Sequence, residues 1–186
     1  MNGKETMLEK AKYYIDKLQL LPHPEGGYYR EIYRAGELIL AESFPGGFNG
    51  NRNITTSIYF MLQRNDFSAF HRIKSDELWH FYDGCAVKIS VLGEDGSFSE
   101  ITLGRNISEG ELFQAVVKKN CWFAAELVDK KSFALVGCTV SPGFDFQDFE
   151  MAECDKLLNE FPEYKEVIKR LCREQHAGRH QLDREK

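Results

Sequence analysis

The stretch HRIKSDELWHFYDG, residues 71–84, places two of the chain's five histidines and three acidic residues within fourteen positions. Its pattern predicts a β-hairpin with chemistry at its mouth. His71 ends one strand, Lys74 to Asp76 forms a turn, and Glu77 to Tyr82 forms the next strand, which the turn residue Gly84 closes.

Alternation along the second strand separates the side chains of this stretch. Successive residues of a strand point to opposite faces, so Glu77, Trp79 and Phe81 share one face and His80 lies on the other. If Glu77 points into the protein, His80 points away and is expected to be hydrogen bonded elsewhere. Asp76 is expected to be a turn residue.

The rest of the chain extends this β pattern. Short β-rich runs separated by turn residues reach from Tyr28 to about Val140, with no helical segment between them. This favours an antiparallel sandwich or barrel over βαβ units. Helical periodicity appears at both ends, after a capping box at Thr6 and again from about Met151.

Length and composition indicate one domain over residues 1–186. We expect a barrel at about 22–150, a helical segment at about 150–173 and a flexible charged tail at 174–186. The net charge is -5 and basic residues are scattered, which argues against nucleic acid as a partner. Apolar runs are too short to span a membrane, and the start lacks a signal core, so a cytoplasmic location is predicted. The five cysteines are widely spaced, which favours buried or surface thiols over disulfides or a zinc site.

The opening stretch resembles the first motif of the cupins. His71, Glu77 and Gly84 fit that motif, whereas Ile73 stands where a second histidine belongs. In VVKKNCWFAAE, residues 116–126, Phe123 stands where a third histidine belongs. Because isoleucine and phenylalanine cannot bind a metal, we predict no cofactor. A divalent metal held by His71 and Glu77 is the weaker alternative.

Five ordered motifs resemble one branch of that superfamily, the uncharacterised cupins catalogued as domain of unknown function 985. They are LPHPEGGYYREIYR, TSIYFML, HRIKSDELWHFYDG, CWFAAE and GCTVSPGFDFQDFE. The resemblance implies a mainly β, cupin-type antiparallel jelly-roll barrel with an N-terminal helix and C-terminal helices. It also implies a homodimer with a small-molecule pocket, without an established reaction.

A metal-free pocket leaves His71 and Glu77 as candidate catalytic residues. A neighbouring carboxylate raises the pKa of a histidine and selects its tautomer, so His71 is a candidate base and Glu77 its partner. A buried ion pair that only shapes the pocket is the equal alternative. Tyr59 is a candidate opposing acid, and with Thr55 and Ser57 it forms a polar series suited to a ligand cavity.

A more distant resemblance concerns the cupin-fold deoxysugar-nucleotide epimerases. Residues 27–31 are similar to the last five positions of their nucleotide-contacting motif, and Gly26 stands where the motif has arginine, which argues against diphosphate recognition. Tyr29 is placed to stack on a planar ring, with Glu31 accepting hydrogen bonds. Tyr28 and Arg30 lie on the other face, and the sequence does not decide which face lines the pocket.

The remaining candidates are pocket walls. Trp79, Phe81 and Phe123 are expected to line the cavity, and Glu25 belongs to a fixed turn at its rim. The leading hypothesis is a metal-independent isomerase or epimerase acting on a carbohydrate or nucleotide-like ligand. The alternative is a non-catalytic cupin that binds or senses a similar small molecule.

Overall fold

The computed structural model describes residues 6–44 and 47–173, and the predicted tail at 174–186 lies outside them. Strands form most of this part of the chain. They are β1 Leu21–Pro22, β2 Tyr28–Arg34, β3 Leu38–Ile39, β4 Arg52–Asn53, β5 Thr56–Gln63, β6 Phe67–Arg72, β7 Asp76–Gly84, β8 Val87–Leu92, β9 Phe98–Leu103, β10 Gln114–Val117, β11 Trp122–Leu127, β12 Phe133–Ser141 and β13 Glu150–Met151. The helices are α1 Met7–Leu18, α2 Cys154–Glu160 and α3 Lys165–Leu171.

Two antiparallel sheets carry the fold. The first has six strands in the order β1-β2-β5-β12-β7-β10, and the second has five in the order β13-β6-β11-β8-β9. Their inner faces enclose one apolar core, which includes Phe60 and Trp79 from the first sheet and Ile89 and Phe123 from the second. The predicted antiparallel jelly roll is therefore confirmed, although hydrogen bonding among the described strands forms these two sheets and a separate β3-β4 pair rather than one closed barrel.

The predicted hairpin at 71–84 is wrong. β6 pairs with β11 and β13 in the second sheet, whereas β7 pairs with β12 and β10 in the first. The turn between β6 and β7 is thus a corner at which the chain passes from one sheet to the other. Because of this crossing, His71 and Glu77 face each other from different sheets across the interior.

Helix α1 begins at the predicted capping box. The Thr6 hydroxyl accepts a hydrogen bond from the backbone of Glu9, and the Glu9 carboxylate accepts one from the Thr6 backbone N–H at 2.8 Å. The helix covers part of the first sheet's outer face, where Ala11 packs with Met61 and Phe133. None of the described helices is both long and apolar enough to span a membrane.

Helices α2 and α3 pack on the outer face of the second sheet, with Leu157 and Ile168 against Phe70. They fold back on each other and join Cys154 to Cys172 in a disulfide with a Cα–Cα distance of 5.7 Å. The expectation that all five cysteines are thiols is wrong for these two. Disulfides are uncommon in the reducing cytoplasm, so this bond does not support the predicted cytoplasmic location. The location stays a prediction.

Candidate functional site

A cavity of about 300 Å³ opens between the two sheets at the end where the chain crosses between them. Its lining combines ionisable groups with aromatic rings, as ligand pockets do. The lining residues are His23, Glu25, Tyr29, Glu31, Arg34, Thr56, Ile58, Phe60, His71, Ile73, Glu77, Cys138, Val140, Phe144, Asp145, Phe146 and Phe149.

His71 is fixed on the wall that β6 contributes, with 2% of its surface exposed. Its Nδ1 lies 2.8 Å from the carbonyl oxygen of Ala69. Because a carbonyl only accepts hydrogen bonds, Nδ1 carries the proton and the lone pair of neutral His71 lies on Nε2. That Nε2 lies 3.1 Å from Oε2 of Glu25. Phe123, with its ring centroid 4.1 Å from that of His71, supports the imidazole.

Glu25 is the carboxyl partner of His71, a role that the sequence suggested for Glu77. Its side chain is 6% exposed, and its Oε1 accepts a hydrogen bond from the Ser68 hydroxyl at 2.9 Å. Burial raises the pKa of Glu25 to about 8, whereas the hydrogen bond from Ser68 acts in the opposite direction. Burial lowers the pKa of His71. The proton shared by the pair therefore resides on Glu25, and both groups are neutral.

The turn that positions Glu25 depends on glycine. Gly26 has φ +116°, and a Cβ there would collide with the carbonyl oxygen of Phe67 and the guanidinium of Arg173. The backbone carbonyl of Glu25 accepts a hydrogen bond from the N–H of Ala69 at 2.9 Å. This close backbone approach brings the Glu25 carboxyl to His71.

Glu77 enters the cavity from the opposite sheet and is 8% exposed. Burial raises its pKa to about 7, with His71 lowering it and Glu25 raising it. Cys138 and the indole of Trp79 lie beside the carboxyl, but the Trp79 Nε1 has no hydrogen-bond partner among the described residues. Glu77 thus acts on His71 through its charge across the cavity, because the corner separates the strands that carry them.

His23 is a second histidine of the site that the sequence analysis missed. The backbone N–H of Glu25 donates to Nδ1 of His23 at 3.3 Å, so the proton of neutral His23 lies on Nε2. Burial, with a smaller effect from the neighbouring His71, lowers the pKa of His23 to about 3. Its ring centroid lies 4.6 Å from that of Tyr29. His23 lies in the same Pro- and Gly-rich turn as Glu25, and this proximity was the sequence feature that could have identified it as a site residue.

The structure decides which face of β2 meets the cavity. Tyr29 and Glu31 line it, and a register shift after Glu31 turns Arg34 to the same side. Arg34 binds Glu31 with Nη2 to Oε2 at 2.6 Å, and its Nη1 donates to the carbonyl oxygen of Phe144 at 3.1 Å. Arg34 was not predicted as a site residue, since strict alternation places it on the other face.

Three residues predicted for the cavity lie on the opposite face of their segment. Thr55 donates to the carbonyl oxygen of Val140 at 3.0 Å, Ser57 lies 3.3 Å from the hydroxyl of Thr139, and Tyr59 packs beside helix α1. The prediction is corrected because β5 turns its more apolar face inward. The residues of β5 that line the cavity are Thr56, Ile58 and Phe60.

The predicted aromatic wall lies in the core rather than on the cavity surface. Trp79 and Phe123 are fully buried there, and Phe81 packs against the same core. The aromatic lining instead includes Phe144, Phe146 and Phe149 of the segment after β12, which the sequence analysis did not select. The three phenylalanines of FDFQDF, residues 144–149, were the sequence pattern that could have indicated this lining.

Two further residues of this region have structural partners. Asp148 binds buried Arg52 through two contacts of 2.6 and 2.9 Å. This pair anchors the segment that carries the aromatic residues. His80 lies outside the cavity lining, with Nε2 3.2 Å from the Thr139 hydroxyl.

The donor set does not match the three imidazoles and one carboxylate of a cupin metal centre. Ile73 and Phe123 supply no donor atom, so His71 and Glu77 are the two positions of the motif that retain one. Within residues 6–44 and 47–173, no three histidine, cysteine, aspartate or glutamate side chains are placed to hold a metal ion. We therefore derive no chemical step through a metal.

Comparison with known proteins identifies close and distant relatives. The family described as Cupin superfamily (DUF985) matches residues 12–152. The uncharacterised protein YML079W of Saccharomyces cerevisiae is 29% identical over 143 residues, which cover 72% of this chain and 71% of that protein.

Solved structures also match this chain over most of its length. A hypothetical protein from Leishmania major has a TM-score of 0.80 and 32% identity, covering 88% of this chain and 99% of its own. Protein SO0799 from Shewanella oneidensis has a TM-score of 0.80 and 36% identity, covering 89% and 98%. Oxalate decarboxylase from Bacillus subtilis, with a TM-score of 0.50 and 15% identity over 83% of this chain and 37% of its own, shares the fold.

Proposed function

Since the chain belongs to the DUF985 family of the cupin superfamily, we propose that its cavity binds a small organic molecule and transfers protons on it. The proposed reaction is that of a metal-independent isomerase or epimerase acting on a carbohydrate or nucleotide-like ligand. One observation carries the proposal: Nε2 of His71 lies 3.1 Å from Oε2 of Glu25 inside the cavity, with Nδ1 fixed by Ala69.

The neutral pair provides an acid and a base together. When an α-hydroxy carbonyl substrate enters, Nε2 of His71 takes the proton from the carbon that bears the hydroxyl, and Glu25 gives its proton to the neighbouring carbonyl oxygen. The product of this step is an enediol, and the pair becomes an imidazolium and a carboxylate. The isomer forms when His71 returns a proton to the neighbouring carbon and Glu25 takes one from the other oxygen.

The surroundings favour this charge separation. Glu77 faces His71 and its charge raises the pKa of the imidazole, so an ionised Glu77 stabilises the imidazolium. The step needs no outside oxidant or reductant because only protons move. Glu77 therefore serves as an electrostatic partner rather than the hydrogen-bond partner predicted from the sequence.

The alternative function, ligand binding without chemistry, is favoured by one specific observation. The lone pair on Nε2 of His71 is already directed at Glu25, and both groups are almost fully buried. If Glu25 and His71 remain hydrogen bonded to each other when the ligand enters, they shape the pocket without transferring a proton. The two functions differ in whether the ligand exchanges hydrogen with solvent.

Deuterium uptake tests the proposed function. A metabolite extract incubated with the protein in D2O should contain one compound that gains a carbon-bound deuterium, because the proton held by His71 exchanges with solvent. His71→Gln should reduce the rate of uptake by roughly a hundredfold or more. Mass spectrometry measures the uptake, and circular dichroism checks that the variant is folded.

Glu100→Gln is the matched control, since Glu100 is exposed on β9 and, within residues 6–44 and 47–173, forms an ion pair only with Lys88. This variant should exchange deuterium at the wild-type rate. Retention of a metabolite by the wild-type protein without deuterium uptake would contradict the isomerase and support the binding function.

We also propose that two copies of the chain associate through the outer face of the first sheet. Tyr33, Tyr82 and Val116 are exposed there, and Tyr33 and Val116 lie in register with Ser57 and Leu78 of neighbouring strands in the same sheet. Exposed aromatic and aliphatic side chains on one face are typical of protein interfaces. This homodimer leaves the cavity open, because the cavity lies between the sheets.

A further inference from the structure

The charges that line the cavity are unbalanced. Four of its residues carry carboxyl groups, namely Glu25, Glu31, Glu77 and Asp145, whereas Arg34 is the only lysine or arginine among the described residues that line it. Arg34 is already engaged, because its guanidinium binds the carboxylate of Glu31. The two histidines of the lining are neutral at neutral pH, since burial lowers the pKa of both.

Glu77 lies deep in this cavity without a strong partner. It is 8% exposed, and no lysine or arginine of the described residues forms an ion pair with it. The thiol of Cys138 and the indole of Trp79 lie beside its carboxyl and lower its pKa, but the thiol is a weak donor and the Trp79 Nε1 is within hydrogen-bond distance of no acceptor among the described residues. A buried carboxyl with no strong donor is costly, so a ligand that supplies one gains free energy.

Aromatic rings form much of the remaining lining. Tyr29, Phe60, Phe144, Phe146 and Phe149 face the cavity, and the three last rings contact one another. The faces of aromatic rings attract cations, and this attraction strengthens when water is excluded. A buried carboxyl and aromatic rings both interact favourably with cations. The cavity therefore has the two kinds of group that recognise an organic cation.

We propose that the ligand carries a protonated amine, which binds Glu77 at the depth of the cavity while the phenylalanine rings hold the rest of the molecule. An amino sugar or another small amine fits this description. The inference rests on the proposed ligand cavity but not on the isomerase step. An anionic ligand would instead meet the carboxyl groups of Glu31, Glu77 and Asp145, a neutral Glu25, and one arginine that is already paired.

The proposal sets the pH dependence of binding. The free Glu77 carboxyl has a pKa of about 7, and the groups that face it are His71, Glu25 and Cys138. The thiol stays protonated because its pKa is raised well above 9. A bound cation lowers the pKa of Glu77, so binding releases a proton. Affinity therefore rises with pH through about 7, and it rises again as Glu25 loses its proton near pH 8, until the amine loses its own proton.

Three compounds with the same ring test the charge that the cavity selects. They are benzylamine, benzyl alcohol and benzoate, which are cationic, neutral and anionic at pH 8. Isothermal titration calorimetry of the wild-type protein should show benzylamine binding at least roughly tenfold more tightly than the other two. Its affinity should be higher at pH 8 than at pH 6, and Glu77→Gln should reduce it about tenfold or more.

Glu100→Gln again serves as the control and should bind benzylamine as the wild type does. Equal or tighter binding of benzyl alcohol or benzoate would overturn the inference, and so would failure of all three to bind. The wild-type comparison remains decisive even if Glu77→Gln does not fold. Deuterium uptake into a neutral sugar would overturn the amine while leaving the proposed function intact, so the two proposals fail separately.

Discussion

At the scale of single residues, the proposed chemistry of the cavity depends on the pair of Glu25 and His71. Both side chains are buried, and neutral groups lose less hydration than charged ones when they leave water. The proton therefore lies on the carboxyl, where burial raises the pKa to about 8. This is the state in which the imidazole is a base and the carboxyl an acid at neutral pH.

Glu77 gives a prediction for stability at the same scale. Its pKa is near 4.5 in a free chain and about 7 in the folded protein, so the folded state holds the proton more tightly. The stability that this proton contributes is complete below pH 4.5 and is lost as the pH rises through about 7. The wild type should lose roughly 3 kcal/mol across this range relative to Glu77→Gln, which cannot ionise.

Urea unfolding at pH 4.5, 6 and 8 measures this difference for the wild type and the variant. Glu100→Gln should keep a nearly constant difference from the wild type, because Glu100 is exposed. A constant difference for Glu77→Gln as well would show that Glu77 has an ordinary pKa in the folded protein.

Sequence patterns identified some of the residues that line the cavity. The spacing of His71 and Glu77 placed both in the cavity, and Glu25 was named as a rim residue. The contact between Glu25 and His71 was not predictable, because the two lie 46 positions apart on elements that only the tertiary fold brings together. The same holds for His23, which follows from the geometry of a turn rather than from a periodic pattern.

At the scale of elements, the corner between β6 and β7 shows a limit of pattern reading. Alternation predicted correctly that Glu77 and His80 occupy different faces of β7. It does not identify the partner of a strand, and a short polar turn looks the same in a hairpin and in a corner. The decisive interactions are long-range hydrogen bonds from β12 to β7 and from β11 to β6.

Strand β5 shows a second limit. One face carries Thr55, Ser57 and Tyr59, and the other carries Thr56, Ile58 and Phe60, so both begin polar and end aromatic. The sequence offers little contrast between such faces. Packing decides the outcome, because Phe60 contacts Trp79 inside and Tyr59 packs beneath α1 outside.

The C-terminal helices show how a tertiary contact changes the chemistry of a residue. Cys154 and Cys172 are 18 positions apart and belong to no short motif. Two helices of seven residues that fold back on each other place the first cysteine beside the second. A pairing of this kind follows from the course of the chain, which spacing alone does not predict.

At the scale of the whole molecule, the fold class was predictable because it depends on patterns that repeat along the chain. Short β-rich runs without intervening helices favour antiparallel sheets, and helical periodicity at the two ends predicted α1, α2 and α3. The assignment of each strand to one of the two facing sheets was not predictable from these patterns. It depends on which strands pair, and those pairs are long-range.

The homodimer is a prediction at this scale. Sedimentation equilibrium should give twice the mass of one chain, because Tyr33, Tyr82 and Val116 bury their exposed side chains against a second copy. Tyr82→Lys should shift the equilibrium toward the monomer through like-charge repulsion across the interface. Exposed Ile107, which belongs to a separate turn, provides the control Ile107→Lys, which should remain dimeric. A wild-type protein of single-chain mass would contradict the proposed interface.

The position of one proton tests the central claim most directly, since the proposed chemistry requires Glu25 to hold it and His71 to be neutral. Nuclear magnetic resonance of ¹⁵N-labelled imidazoles at pH 7 measures this position. The account predicts that His71 carries a proton on Nδ1 and none on Nε2, and that it stays neutral below the usual histidine pKa of 6.5. A His71 with both nitrogens protonated at pH 7 would contradict it.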